Sequence, residues 1–312
     1  MEPSDARPSS VSDAWLLGAA SAPVAIVVAH VEDLLAAVGI VRALGPARVR
    51  AVVWTAAPQA ALEAARAALD LERDALVALD VAPEDILGRV AAVAGSRASR
   101  ESSFVFFDRE AARIEAIVRP LAPDRVFTSA LEGVHVEHDV VHAIVTRAVR
   151  RERNRRAAAV PLVELPSVEP GLHAPLRFAP WTHGDRRALA LDAHALEAKR
   201  AWWATLPEAT RGTVARAARV LASTRALAPA ASWLGGVLEG PLARPLHVLG
   251  ALAEAPLARV LATEHVRVVD PERPPREAPA TWPLAGYAAG PGPTRRLAFD
   301  QHVRPVVEAV LG

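Results

Sequence analysis

Val24-Ala25-Ile26-Val27-Val28-Ala29-His30-Val31-Glu32-Asp33-Leu34 is the stretch on which the fold turns. Val24–Val28 is apolar and mostly β-branched without interruption, the pattern of a strand buried on both faces. An imidazole and two carboxylates follow at once, His30, Glu32 and Asp33. Leu34–Leu44 then takes up helical spacing and stops near Gly45-Pro46. A buried strand leading through a polar turn into a helix is the repeating unit of an α/β fold. The turn lies at the strand's carboxyl end, where such sheets bind ligands.

Working outward, the same alternation continues. Val49–Trp54 reads as a second strand, Pro58–Leu79 as a helix broken at most once and Pro83–Val93 as another, with proline tolerated in its first turn. Phe104–Phe107 reads as a third strand, Arg109–Val118 as a helix, Arg125–Ser129 as a fourth strand and Glu137–Arg150 as a helix. This βαβα rhythm predicts a Rossmann-like, mostly parallel sheet with helices on both faces. The second half is less regular: a strand at Pro161–Leu165, a helix over Asp185–Leu206, a strand at His265–Val269 and a Pro-rich surface loop over Pro271–Pro283. The expected organisation is a flexible segment over 1–20, one domain over 21–270, and an irregular C-terminal extension over 271–312, packed on that domain or trailing from it.

Composition narrows the chemistry. The 312 residues carry a net charge of only +1, and Lys199 is the sole lysine among 36 basic residues. No global field steers such a chain toward nucleic acid or an anionic membrane, so neither is an expected partner. Without cysteine, any metal must be held by His, Asp or Glu. The first twenty residues lack a basic n-region, and no apolar run is long enough to span a bilayer, which points to a cytoplasmic protein. No Gly-rich phosphate loop follows any strand, which disfavours a nucleotide cofactor.

A second polar cluster, Glu132-Gly133-Val134-His135-Val136-Glu137-His138-Asp139, stands just beyond Arg125–Ser129. His30 and Asp33, three apart across a turn, can converge on one point, and His138 from the neighbouring unit completes two nitrogens and one oxygen. Three protein ligands with a fourth position left to water is the catalytic arrangement for zinc. Zinc is the expected metal, with ferrous iron as the alternative. Glu32 is placed as general base, His135 to protonate the leaving nitrogen or hold an oxyanion, and Glu137 to orient His135. Either cluster alone reads as helix-capping acid; two at two strand ends read as a site.

The clusters resemble the PIG-L/LmbE-like family of zinc-dependent N-deacetylases. The family's Ala-His-Pro-Asp-Asp-Glu stands as Ala29-His30-Val31-Glu32-Asp33-Leu34, and its His-Pro-Asp-His as His135-Val136-Glu137-His138. The resemblance implies zinc ligands at His30, Asp33 and His138, a base at Glu32, an electrostatic catalyst at His135 with Glu137 behind it, and an LmbE-like domain. It extends over roughly residues 22 to 269 through weaker echoes at Gly39, at Ala198-Lys199-Arg200-Ala201 and around Leu261–Arg267. The implied substrate is an N-acyl amino sugar or related glycoconjugate. Both motif prolines are valine, both internal aspartates are glutamate, and Leu34 replaces a glutamate. A base one methylene longer is re-aimed, and a misplacement of about 1 Å can cost on the order of a hundredfold in rate. A catalytically altered, metal-binding regulatory protein is therefore the alternative. A nucleotide-binding α/β protein is a third reading, and it predicts no stoichiometric zinc.

Among other residues, Asp108 ends the Phe104–Phe107 segment and is a candidate for binding a sugar hydroxyl, with a helix cap as the equal alternative. His142 reads as a satisfied interior histidine, Trp202-Trp203 as core packing or a sugar-stacking wall, and Lys199 as a structural ion-pair partner. The basic run Arg147–Arg156 reads as a solvated helix end. Homo-oligomerisation is left open.

Overall fold

The computed structural model describes Leu16 and residues 22–133, 135–168, 176–178, 185–208, 211, 257–272, 286–287 and 297–312. The central element is a seven-stranded sheet. β1 (Val24–Val28) pairs in parallel with β2 (Val49–Thr55) on one side and β4 (Arg125–Ser129) on the other. β3 (Leu76–Val81) adds beyond β2 and β5 (Leu162–Leu165) beyond β4, both parallel. β6 (Asp185–Ala190) and β7 (Thr263–Val269) close the far side antiparallel, giving the order β3-β2-β1-β4-β5-β7-β6.

The alternation in β1 accounts for its uninterrupted hydrophobicity. Val24, Ile26 and Val28 enter one core cluster, while Ala25, Val27 and Ala29 enter another on the opposite face. The first core gathers a 3-10 helix (Val31–Ala37), α1 (Val38–Leu44), α2 (Gln59–Leu69) and α6 (Ala193–Thr205). The second gathers α3 (Pro83–Ala92), α4 (Arg97–Leu121), α5 (Val136–Arg156) and α8 (Arg304–Leu311). A short α7 (Leu257–Ala262) leads into β7. Leu297, Phe299, Val303, Val306 and Val310 all enter the second core, so the described C-terminal residues pack on the sheet's helical layer.

Three segments differ from the sequence expectation. Phe104–Phe107 lies inside α4, where Phe107, Ala111, Ile114 and Val118 bury one helical face. A four-residue apolar run does not separate strand from helix, and the 3.6-residue period around it prevails. The helix expected through Leu79 stops at Leu69, where Asp70 takes a left-handed conformation (φ 56°), and β3 follows. Asp185–Ala190 is an edge strand rather than a first helical turn. It has no β-branched residue, and its pairing with β7 decides its conformation. Pro271 and Glu272 are in a turn, and the rest of the Pro-rich stretch lies outside the described residues.

The arginines of the basic run are all engaged. Arg147 and Arg151 pair with Glu115, Arg155 and Arg156 with Glu152, and Arg153 with Asp270. Arg150 donates to the Pro271 carbonyl. The run ties α5 to its neighbours. No described helix is long and apolar enough to cross a membrane.

Candidate metal centre

The two sequence clusters meet where the connections reverse direction across the sheet. From β1 the chain moves outward to β2 and β3, then returns to place β4 on the other side of β1. The carboxyl ends of β1 and β4 therefore flank a crevice at the switch point. His30 leaves β1 there, and His135 and His138 enter α5 there.

The donor atoms converge. His30 Nδ1 and His138 Nε2 are 3.1 Å apart, His138 Nε2 and Asp33 Oδ2 are 3.1 Å apart, and His30 Nδ1 and Asp33 Oδ2 are 3.8 Å apart. Ligands about 2.0–2.1 Å from a tetrahedral ion stand roughly 3.3 Å from one another. The observed separations bracket that value, and the three residues form a group that could hold a metal ion. Asp33 Oδ1 is buried without a hydrogen-bond partner among the described residues. Buried polar atoms are ordinarily satisfied, so this lone oxygen suits a cation. The residues fit a divalent metal.

Electrostatics agree. Burial alone would push the Asp33 carboxyl up, but His138, through charge and a hydrogen bond, and His30, through charge and its backbone amide, hold it at about 2. The carboxylate is thus ionised and ready to ligate over the whole ordinary pH range.

No family model matches the sequence, and no curated protein does. Among solved structures, the chain is similar to a deacetylase of the teicoplanin biosynthesis pathway at 17% identity, covering 58% of this chain and 83% of that one, with a TM-score of 0.37. An A40926 pseudoaglycone deacetylase is similar at 15% identity, covering 64% and 90%, with a TM-score of 0.36. Superpositions this loose carry no weight for fold or function. Both rest on the sheet and on the side chains themselves.

Around the donor set, two hydroxyls that the sequence did not single out fix the turn. Thr55, at the end of β2, donates from both its amide and Oγ1 to the Ala29 carbonyl, at 3.0 and 2.8 Å. Ser129, at the end of β4, accepts the Ala29 amide at 3.2 Å and lies 3.5 Å from Asp33 Oδ2. The peptide before His30 is therefore clamped from both neighbouring strands. Asp139 was likewise missed. Its buried Oδ1 accepts from the amides of Glu132 and Gly133, at 3.0 and 3.1 Å, and so folds the loop back over the start of α5. Gly133 has φ 68°, a left-handed conformation that glycine adopts without strain.

The remaining expected residues fall as follows. The His135 and His138 rings lie 5.0 Å apart, and those of His30 and His138 5.1 Å apart, so three imidazoles cluster. Glu32 is half-buried and forms no hydrogen bond or ion pair among the described residues. Glu137 is also half-buried, and the bond expected from it to His135 is not formed. Positions two apart at a helix start point in different directions. Asp108 is corrected outright: it lies mid-helix in α4, exposed, and pairs with Arg147 rather than ending a strand. His142 is a partnered interior histidine, 2.8 Å from Glu164, and Glu164 also pairs with Arg267. Trp202 is in the core with Trp203 packed against it, and His194 bonds Arg42. His173 and His183, which show no ligand spacing in the sequence, lie outside the described residues.

Proposed function

We propose that the protein is a metal-dependent hydrolase that removes an acyl group from an N-acylated amino sugar or related small conjugate. The convergence of His30, Asp33 and His138 at the β1–β4 switch point carries the reading, and the match of both histidine motifs to the deacetylase signatures supplies the reaction class. His30, Asp33 and His138 would hold Zn2+, or Fe2+ in its place. When bound, such an ion supplies Lewis acidity, polarising a carbonyl and lowering the pKa of water from about 15.7 to roughly 7.

The chain's own groups do the rest. Glu32, beside a ligand and unengaged, accepts the proton of the attacking water. His135, at the mouth of α5, donates to the leaving nitrogen. A C–O bond forms, the amide C–N bond breaks, and a carboxylate and an amine depart. Thr55 and Ser129 hold the His30 turn still while this happens, and Asp139 holds the loop that carries His135.

The test has two arms. Elemental analysis of the purified protein should return one divalent ion per chain, and a panel of N-acetylated sugars should release acetate. Glu32→Gln should keep the metal and lose about 10²–10⁴ of the turnover. Undiminished turnover in that variant removes Glu32 from the mechanism, and absence of stoichiometric metal removes the hydrolase reading.

A second reading, a metal-binding regulatory protein, draws on Leu34. Where the family motif ends in glutamate, this side chain is fully buried in the core and contributes nothing polar to the crevice. Ligand recognition without acetate release across the same panel would favour it.

A further inference from the structure

Asp33 is the third residue of a seven-residue 3-10 helix, and runs of that length are uncommon because their hydrogen bonds are poorer than those of an α-helix. The run ends at Ala37, whose φ of −126° and ψ of 11° interrupt the ladder just before α1. The opening amides of α1 have no partner within the helix, and Ala37 has no side-chain oxygen to offer. Glu264 meets that need from β7. Its Oε1 accepts the Gly39 amide at 2.9 Å and its Oε2 the Ile40 amide at 2.8 Å.

Lys199, on α6, donates to the same Oε1 at 2.9 Å, and both charged side chains have no solvent exposure at all. A buried ion pair is weak evidence for stability, because desolvation offsets most of the attraction. The significance of this pair lies in what the carboxylate holds. A Cβ on residue 39 would lie 3.3 Å from Glu264 Oε2 and 2.0 Å from Leu191 Cδ2, so the approach relies on glycine. Gly39, Lys199 and the segment around Glu264, three scattered echoes in the sequence, thus form one buried cluster behind the ligand turn.

We infer that Glu264, neutralised by Lys199, is a positioning residue for Asp33: by holding the Gly39 and Ile40 amides it sets where the 3-10 helix ends and therefore where the ligand carboxylate stands. The inference rests on the metal-binding reading proposed above. The cluster's hydrogen bonds and ion pair do not reach the donor set, so its effect passes along the buried 3-10 helix.

Co2+ titration with its visible absorption band tests this on the full chain, comparing the unaltered protein, the Lys199→Met/Glu264→Gln double variant and Val306→Ala, a core truncation on α8. The double variant should bind Co2+ at least tenfold more weakly with a shifted band, whereas Val306→Ala keeps affinity and band. Equal affinity and band in the double variant overturn the inference while leaving the metal reading intact, and so does an equal loss in Val306→Ala. An unaltered protein that takes up no Co2+ sinks the metal reading itself. Should the double variant fail to fold, amide exchange in the unaltered protein decides. Zn2+ should slow exchange at Gly39 and Ile40 at least fivefold, because coupling between two sites is reciprocal; unchanged exchange there overturns the inference.

Discussion

The Ser129 hydroxyl lies 3.5 Å from Asp33 Oδ2, its proton directed at the carboxylate and its lone pair at the Ala29 amide. A single side chain on β4 therefore orients one candidate ligand and braces the strand that carries another. Ser129→Ala should weaken Zn2+ binding about 10–100-fold, the usual effect of removing a group behind a metal ligand. It should also cost about 1–3 kcal/mol of stability by leaving the buried amide unpaired. Competitive titration against a chromophoric chelator and urea unfolding measure the two. Unchanged metal affinity would show that Asp33 is oriented without it.

Asp139 makes a sharper comparison possible. Asp139→Ala removes both bonds to the Glu132–Gly133 loop and should destabilise by about 2–3 kcal/mol, whereas Asp139→Asn keeps an acceptor and should lose roughly half as much. Turnover should fall in both with metal content retained, because His135 rides on that loop. Metal loss in parallel with turnover would place the effect on His138 instead.

His265 and Asp33 both contribute to the acid limb of stability in the metal-free protein. His265 has its pKa pushed down to about 4, first by burial and then by Arg177, Arg186 and Lys199. The unfolded chain takes up that proton first, so stability declines as pH falls from about 6.5 to about 4 and no further from this cause. Asp33, held at about 2, contributes stability that is complete above its ordinary 3.8 and disappears as pH falls through 2. Urea titrations across pH should show two separate declines. His265→Gln should flatten the upper and Asp33→Asn the lower.

Gly39→Ala should cost about 1–3 kcal/mol, the range for forcing a methyl into a filled space, because Leu191 must move to admit it. Thermal unfolding reads this directly. A neutral result would show that Leu191 yields freely.

The candidate ligands His30, Asp33 and His138 were legible in the sequence because both polar clusters follow a readable strand. β1 is a continuous apolar run with His30 two residues beyond it, whereas β4 is apolar only at Val126 and Phe127, and His135 and His138 follow six and nine residues after its end. β3 and β6 escaped because Leu76–Val81 and Asp185–Ala190 are rich in alanine and leucine, and only their neighbours in the sheet make them strands. The Phe104–Phe107 error displaced Asp108 with it: a residue expected at a strand end faces outward from a helix. Thr55 and Ser129 could not be read as braces without knowing that β2 and β4 both flank β1, a fact no local spacing carries. Asp139 left a faint signal, an acid in a helix's first turn a few residues after a glycine, but the same pattern serves ordinary capping.

Because β4 is inserted beside β1 only after β2 and β3 have been laid down on the other side, the two halves of the donor set are synthesised more than a hundred residues apart. A growing polypeptide between 33 and 137 residues long has His30 and Asp33 but nothing to close the triangle. On the metal-binding reading proposed above, ion capture registers completion of the central parallel seam, a late and non-local event in folding. On the same reading, a chain folded without metal has its sheet but lacks the extra hold that binding confers.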